Sequence, residues 1–332
     1  MTDDYLWNPA GTPDPEIARL ERSLRAAAYM PVPLRGDTVL RHSTRFRAGK
    51  WSAIAAGTVL ATGALYAARS TGTPWQVSAA HGTPIVRTAN GVVSGGALTR
   101  GGVVETDAHS TARVNVGRIG HAELAPGSRL RLVDDGTQVH RLTLERGTMH
   151  ASVDAPPRYF LVQTASALAV DLGCEYTLTV DERGNGLLTV DEGEVELQSG
   201  NVRVAVLAGN AAALYAGRAP GLPYPVNASA ALHRAVAAYD ADARDVHALD
   251  AVLVAADSGS TITLWHLLQR VNPLDRERVY VRLAAIAPAP RTVSRERVLR
   301  GESGALQRWR TELEPRWATA STIWQRVRRT LR

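Results

Sequence analysis

Cysteine is nearly missing from this chain: Cys174 is the only one in 332 residues. An intramolecular disulfide is therefore impossible, and no zinc site can be built on paired thiolates. Lysine is equally scarce. Lys50 stands alone, and arginine supplies the rest of the positive charge. Aromatic residues are only 5% of the total, with two phenylalanines. The nine histidines never fall at His-x-x-x-His or His-Glu-x-x-His spacing, which removes the usual metalloprotease pattern. No Gly-x-Ser-x-Gly elbow and no Walker-type phosphate loop occurs, so neither a hydrolase nucleophile nor a nucleotide cradle is signalled. The chain reads as a non-enzyme with no cofactor.

What is present is substantial. Hydrophobic residues make up 45% of the sequence, enough for a real core, and 332 residues leave room for two or three domains. A mean hydropathy of −0.13 excludes a membrane protein with many spans. The net charge is +6, but it is spread along the chain and accompanied by no nucleic-acid-binding motif, so nucleic acid is not an expected partner.

One run carries no charge at all. Trp51 to Ala68 reads WSAIAAGTVLATGALYAA, close to the 17-residue lower limit for crossing a bilayer, where about 20 is typical. Arg35, Arg41, Arg45, Arg47 and Lys50 precede it, and only Arg69 and Arg87 lie near it on the far side. The positive-inside rule then predicts a single transmembrane helix over 51–69 with the N-terminus in the cytoplasm. Ala53, Gly57 and Ala61 form a small-residue seam of the kind that pairs helices in lipid, which leaves a homodimer open.

Before the span, residues 1–50 form a cytoplasmic stub too short for a large core. Asp14-Pro15 is a helix start. Ile17, Leu20, Leu24 and Ala27 then share one face, and Pro31 and Pro33 end the segment. Such a helix docks in a partner's groove, lies on the membrane or serves as a solvated tether. The candidate docking residues are Trp7, Ile17, Leu20 and Leu24.

Beyond the span the period changes to two. Leu142 and Leu144, then Met149, Ala151 and Val153, then Leu188, Val190, Val195 and Leu197 alternate with polar residues, the signature of strands with one buried face. Turn signals recur throughout 75–218, among them Asn90-Gly91, Pro126-Gly127, Arg183-Gly184-Asn185-Gly186 and Glu192-Gly193. Short strands at this spacing predict an all-β sandwich or jelly-roll-like domain. Asp191, Glu192, Glu194 and Glu196 read as a solvated strand face in preference to a calcium site.

Five blocks in this region resemble the FecR-type periplasmic domain. They are Ala125-Pro126-Gly127-Ser128, Leu144-Glu145-Arg146-Gly147-Thr148-Met149, Phe160-Leu161-Val162-Gln163-Thr164, Gly173-Cys174-Glu175-Tyr176-Thr177-Leu178 and Val190-Asp191-Glu192-Gly193-Glu194-Val195. The resemblance marks Gly147, Phe160, Gly173, Tyr176 and Gly193 as structural motif positions. It also implies a single-pass protein of a bacterial inner membrane with its C-terminal part in the periplasm. Such a protein transduces a signal to an extracytoplasmic-function sigma factor in the cytoplasm, as an anti-sigma factor or transducer. Its periplasmic side would receive that signal from an outer-membrane or other envelope protein. The alternative is an envelope binding or scaffolding module for a glycan or protein partner, with no sigma-factor role.

The third part is helical. After a proline-rich linker over 219–227, the segments 230–239, 245–256, 263–271 and 273–286 each suit a helix, and 228–332 reads as a C-terminal helical domain. Trp309, Leu313 and Trp317 recur at helical spacing, and Pro315 is expected to start a second helix. His266, inside LWHLL, reads as a packed or capping residue.

Overall fold

The computed structural model describes residues 74–88, 91–94, 96–136 and 138–317. The stub, its docking residues Trp7, Ile17, Leu20 and Leu24, the dimer seam and the apolar run at 51–69 lie outside these residues. Among the described residues no helix is long and apolar enough to cross a membrane.

Alternation does what a period of two demands. Strand β6 (Thr111–Val116) buries Ala112, Val114 and Val116 and turns the residues between them outward. Among the described residues seventeen strands form two layers. The front layer runs β4 (Gly96–Leu98), β1 (Trp75–His81), β6, β7 (Gly120–Leu124), then the second half of β9 (His140–Val153). It continues with β12 (Glu175–Val180), β13 (Gly186–Glu192), β16 (Asn210–Leu214) and β17 (Tyr224–Pro225). The back layer runs β3 (Gly91–Ser94), β2 (Ile85–Thr88), β5 (Val103–Glu105), β8 (Arg129–Asp135), then the first half of β9. Beyond it come β10 (Phe160–Gln163), β11 (Leu168–Asp171), β14 (Glu194–Ser199) and β15 (Val202–Leu207). All pairings are antiparallel except β9 with β10. The inward side chains of both layers meet in one core that includes Met149, Phe160, Tyr176, Leu188, Leu197 and Val206. The β-rich domain expected from the sequence is thus a sandwich, lengthened stepwise as the chain passes from one layer to the other.

Strand β9 joins the layers. Its first half pairs with β8 and β10, and its second half with β7 and β12. Leu142 and Leu144 are buried from even positions, whereas Met149, Ala151 and Val153 are buried from odd ones. The change of parity is needed because a strand that crosses between layers must present its other face to stay turned toward the same core. Gly147 sits at the switch with φ +93°, and a Cβ there would lie 2.3 Å from Ser128 Cα. The buried Ser128 closes the corner: its hydroxyl accepts from Thr148 N at 3.0 Å and donates to Thr148 O at 3.1 Å. Its own N–H donates to Thr106 Oγ1 at 2.9 Å. Ser128→Ala strands the Thr148 N–H, and the expected loss is about 2 kcal/mol of unfolding free energy. Urea denaturation measures it, and a loss under about 0.5 kcal/mol would mean that the hydroxyl does not hold the corner.

The helices among the described residues are α1 (Ala230–Ala241), α2 (Val246–Ala255), α3 (Thr261–Arg270), α4 (Pro273–Ile286), α5 (Arg295–Leu299) and α6 (Ser303–Trp317). Ser229, Asp245 and Asn272 cap the N-termini of α1, α2 and α4 with their side chains, and Pro273 begins α4 where its missing N–H costs nothing. Pro315 starts no new helix. It lies inside α6, which runs on to Trp317 with Trp309, Leu313 and Trp317 all buried. Packing of that stripe outweighs the one backbone hydrogen bond that proline removes. The segment read as a proline-rich linker is packed: Pro220 to Pro223 are buried, and Tyr224–Pro225 pair with β16 as β17.

Candidate functional site

The motif glycines occupy corners. Gly193, at φ +80°, lies between β13 of the front layer and β14 of the back layer, and a Cβ there would stand 2.3 Å from Gly173 O. Gly173 lies between β11 and β12, where the chain crosses the other way. Two crossings therefore touch, backbone against backbone. Ala208 N donates to Gly193 O at 3.0 Å, which brings the β15–β16 crossing to the same place. Phe160 and Tyr176 are fully buried in the sandwich core. Burial, reinforced by the nearby Asp171, holds the Tyr176 phenol well above its ordinary pKa, so it stays neutral. These five motif residues shape the sandwich and present no chemistry to solvent.

The surface that differs from a plain sandwich is the junction with the helices. In β15 the even residues Val204 and Val206 face the sandwich core, and the odd residues Ala205 and Leu207 belong to the helical core with Leu249, Leu268 and Trp309. One strand thus serves two cores. Polar contacts fasten the seam. Thr263 Oγ1 donates to Pro223 O at 2.7 Å, Arg270 Nη2 to Gly221 O at 3.2 Å and Arg310 Nη2 to Glu194 Oε1 at 3.2 Å. Asp240 on α1 accepts from Leu222 N at 3.0 Å and from the Tyr215 hydroxyl at 3.3 Å. Its burial raises the carboxyl pKa despite those donors and the nearby Arg270.

The acidic group noted in the sequence is divided between two strands: Asp191 and Glu192 end β13, and Glu194 and Glu196 share the outer face of β14, each with an arginine partner. Glu194 turns to Arg310, and Glu196 pairs with Arg203 at 3.1 Å and Arg158 at 3.5 Å. Among the described residues no group of three or more acidic, histidine or cysteine side chains is placed to hold a metal ion. Cys174 is buried, and its thiol contacts Glu194 O at 3.2 Å. His266 is packed at the seam with its ring edge-on to Trp265 at 4.9 Å. Desolvation, with Arg270 and Arg310 nearby, lowers its pKa to about 3, so the ring is neutral at physiological pH.

Between β14, β15 and helices α3, α4 and α6 lies a cavity of about 450 Å³. Sequence reasoning missed it. His266 and Arg310 were visible as residues, but nothing in local periodicity brings them opposite Glu196 and Arg203.

A chain of this architecture is a β-sandwich module extended by a packed helical domain. The family model described as FecR protein matches residues 102–212; the chain carries a FecR-type domain, as the five blocks imply. Two crystal structures of a protein described as a "putative anti-sigma factor" from Parabacteroides distasonis are also similar. They share 16% identity over 37% of this chain, with a TM-score of 0.33. The match spans 59% of that protein's length. Comparison with curated proteins gives no match.

Proposed function

We propose that the chain is a signal-transduction regulator that couples an envelope signal to an extracytoplasmic-function sigma factor. In this reading the stub at 1–50 is cytoplasmic and holds the sigma factor through Trp7, Ile17, Leu20 and Leu24. Residues 51–69 cross the inner membrane, and the FecR-type domain with its helical extension lies in the periplasm. It works by changing contacts and makes or breaks no bonds. The observation that carries the reading is the FecR match over 102–212, downstream of an apolar run whose basic flank lies on the N-terminal side.

Two measurements test it. Full-length protein purified from its own cells is expected to carry a sigma factor, which Leu20→Asp combined with Leu24→Asp releases by placing charge on the docking face. Repeated purification without any sigma factor would refute the regulator role. Reporter fusions after Lys50 and after Thr73 are expected to report opposite compartments, and cytoplasmic signals from both would remove the span. An envelope module that binds a glycan or protein partner without a sigma factor is the second reading. The polar cavity at the sandwich–helix seam is the observation that favours it.

A further inference from the structure

Large apolar side chains scattered singly over a surface are ordinary, but a cluster of them marks a contact. The four most exposed among the described residues are Leu274 at 88%, Val254 at 82%, Val281 at 55% and Val246 at 53%. All four lie on α2 and α4. On α2, Val246 and Val254 stand one turn to either side of Asp250. On α4, Leu274 and Val281 stand one turn to either side of Arg278. Residues three or four apart share a helix face, so each helix carries an apolar stripe with a charge at its middle. Arg278 and Asp250 form an ion pair between the helices, with side chains 41% and 45% exposed. Arg282 makes a second tie, to the carbonyl of Ala256 at the end of α2. The ion pair turns both stripes to the same side, and α2 and α4 together present one apolar face.

The charges on this face cancel. Asp250 and Asp275 stand against Arg278 and Arg282, with Asp275 also 3.2 Å from Arg278, and at the rim Glu277 pairs with Arg295. A neutral face selects no partner by the sign of its charge. In a chain of net charge +6 it is also where two copies approach with least repulsion. A two-fold axis through the ion pair sets Asp250 of each copy against Arg278 of the other. It also lays each α2 stripe on the other copy's α4 stripe. Apolar then meets apolar and acid meets base, which is the self-complementarity that an isologous contact requires. The helices, of 10 and 14 residues, are about 15 and 21 Å long, and two of them are about 20 Å across, a face of roughly 400 Å². A standard interface buries about 800 Å² on each partner, so this contact is a weak and reversible one.

We propose that the outer face of α2 and α4 joins two copies of this chain in a weak, two-fold symmetric dimer. Val246, Val254, Leu274 and Val281 supply the buried apolar area, and Asp250 and Arg278 fix the register across the axis. The inference depends neither on a sigma-factor partner nor on the span at 51–69.

The test is analytical ultracentrifugation of the full-length protein in detergent across a concentration series, where a passage from monomer to dimer is expected. Val254→Glu combined with Leu274→Glu should weaken the association about tenfold or more. Both side chains are almost fully exposed, so the fold does not depend on them. Asp250→Arg and Arg278→Asp should each weaken it as much, because each sets like charges against one another across the axis. Mixing these two variants, one of them fluorescently labelled, should restore dimers that contain one of each. An ion pair that acts only within a chain would not produce that rescue. Gly57→Leu controls for pairing through the small-residue seam of Ala53, Gly57 and Ala61. A chain that stays monomeric at every concentration would overturn the proposal. So would a dimer that Gly57→Leu abolishes and the Val254 and Leu274 changes spare, or a mixture of the two charge variants that remains monomeric. A different protein held on this face by a monomeric chain would overturn it equally.

Discussion

Gly147→Val is expected to destabilise the sandwich by about 3–5 kcal/mol, enough to abolish folding in a domain of ordinary stability. Two effects combine. The backbone at φ +93° lies where a β-branched residue is strained, and the first carbon of any side chain would meet Ser128 Cα at 2.3 Å. That atom is backbone, so no rotamer change relieves it. The clash lies on β9, which pairs with four strands in two layers, so a shift there disturbs the whole sandwich. Gly127 is the control. It also has positive φ, +72°, but a Cβ there meets nothing within 4 Å. Gly127→Ala should cost only about 1 kcal/mol. Thermal and urea unfolding of the two variants decide the matter: similar losses at both positions would show that backbone conformation alone, and not the close approach to Ser128, sets the requirement at 147.

Acid is expected to loosen the seam before it attacks the sandwich, because His266 cannot easily take a proton. Its pKa is about 3 in the folded chain and about 6.5 when unfolded. Above pH 6.5 both states are neutral and the contribution is constant. As the pH falls below 6.5 the unfolded state binds a proton that the folded state refuses, and stability is lost at about 1.4 kcal/mol per pH unit. The loss is about 2 kcal/mol at pH 5 and about 4 kcal/mol near pH 3. His140, lowered by desolvation against the opposing pull of Asp135 and Asp134, adds a smaller part of the same sign. Glu105 and Glu145, lowered by their arginine partners, join as the pH falls into the ordinary carboxylate range, where the unfolded state begins to bind protons that the folded state refuses. Asp240, raised by burial, acts oppositely: its contribution is present at low pH and is lost as the pH rises through its folded pKa. Replacing the imidazole by an amide, His266→Gln, should remove most of the slope between pH 6.5 and pH 5. Urea midpoints measured across that interval test this, and an unchanged slope in the variant would show that His266 protonates in the folded state.

Much of the architecture follows from local chemistry that a sequence exposes. Alternation in Thr111–Val116 and Gly186–Glu192, and turns such as Asp181 to Asn185, where the Asp181 carboxylate accepts from Arg183 N and Asn185 N, depend on residues close in the chain. The helix starts at Ser229, Asp245 and Asn272 are equally local. The short α5 escaped notice because five residues carry too little periodicity to read. The continuation of α6 through Pro315 escaped because a buried tryptophan and leucine stripe, a tertiary effect, overrode a local breaker. The motif glycines were legible as positions, but their reason was not: Gly147 and Gly193 are required by Ser128 and Gly173, which are 19 and 20 residues away in sequence.

By itself, then, the sequence determined the two structural classes and their order, strands before helices, because periods of two and of 3.6 are properties of consecutive residues. It also specified the single cysteine and the absence of familiar catalytic spacings. Only the tertiary structure decided that β15 is buried on both faces, that the prolines of 220–223 are packed, that His266 is held neutral and that three arginines surround one cavity. Alternation tells which residues share a face but not what covers that face. What covers it depends on contacts between residues distant in the chain, and those exist only once the chain has closed on itself.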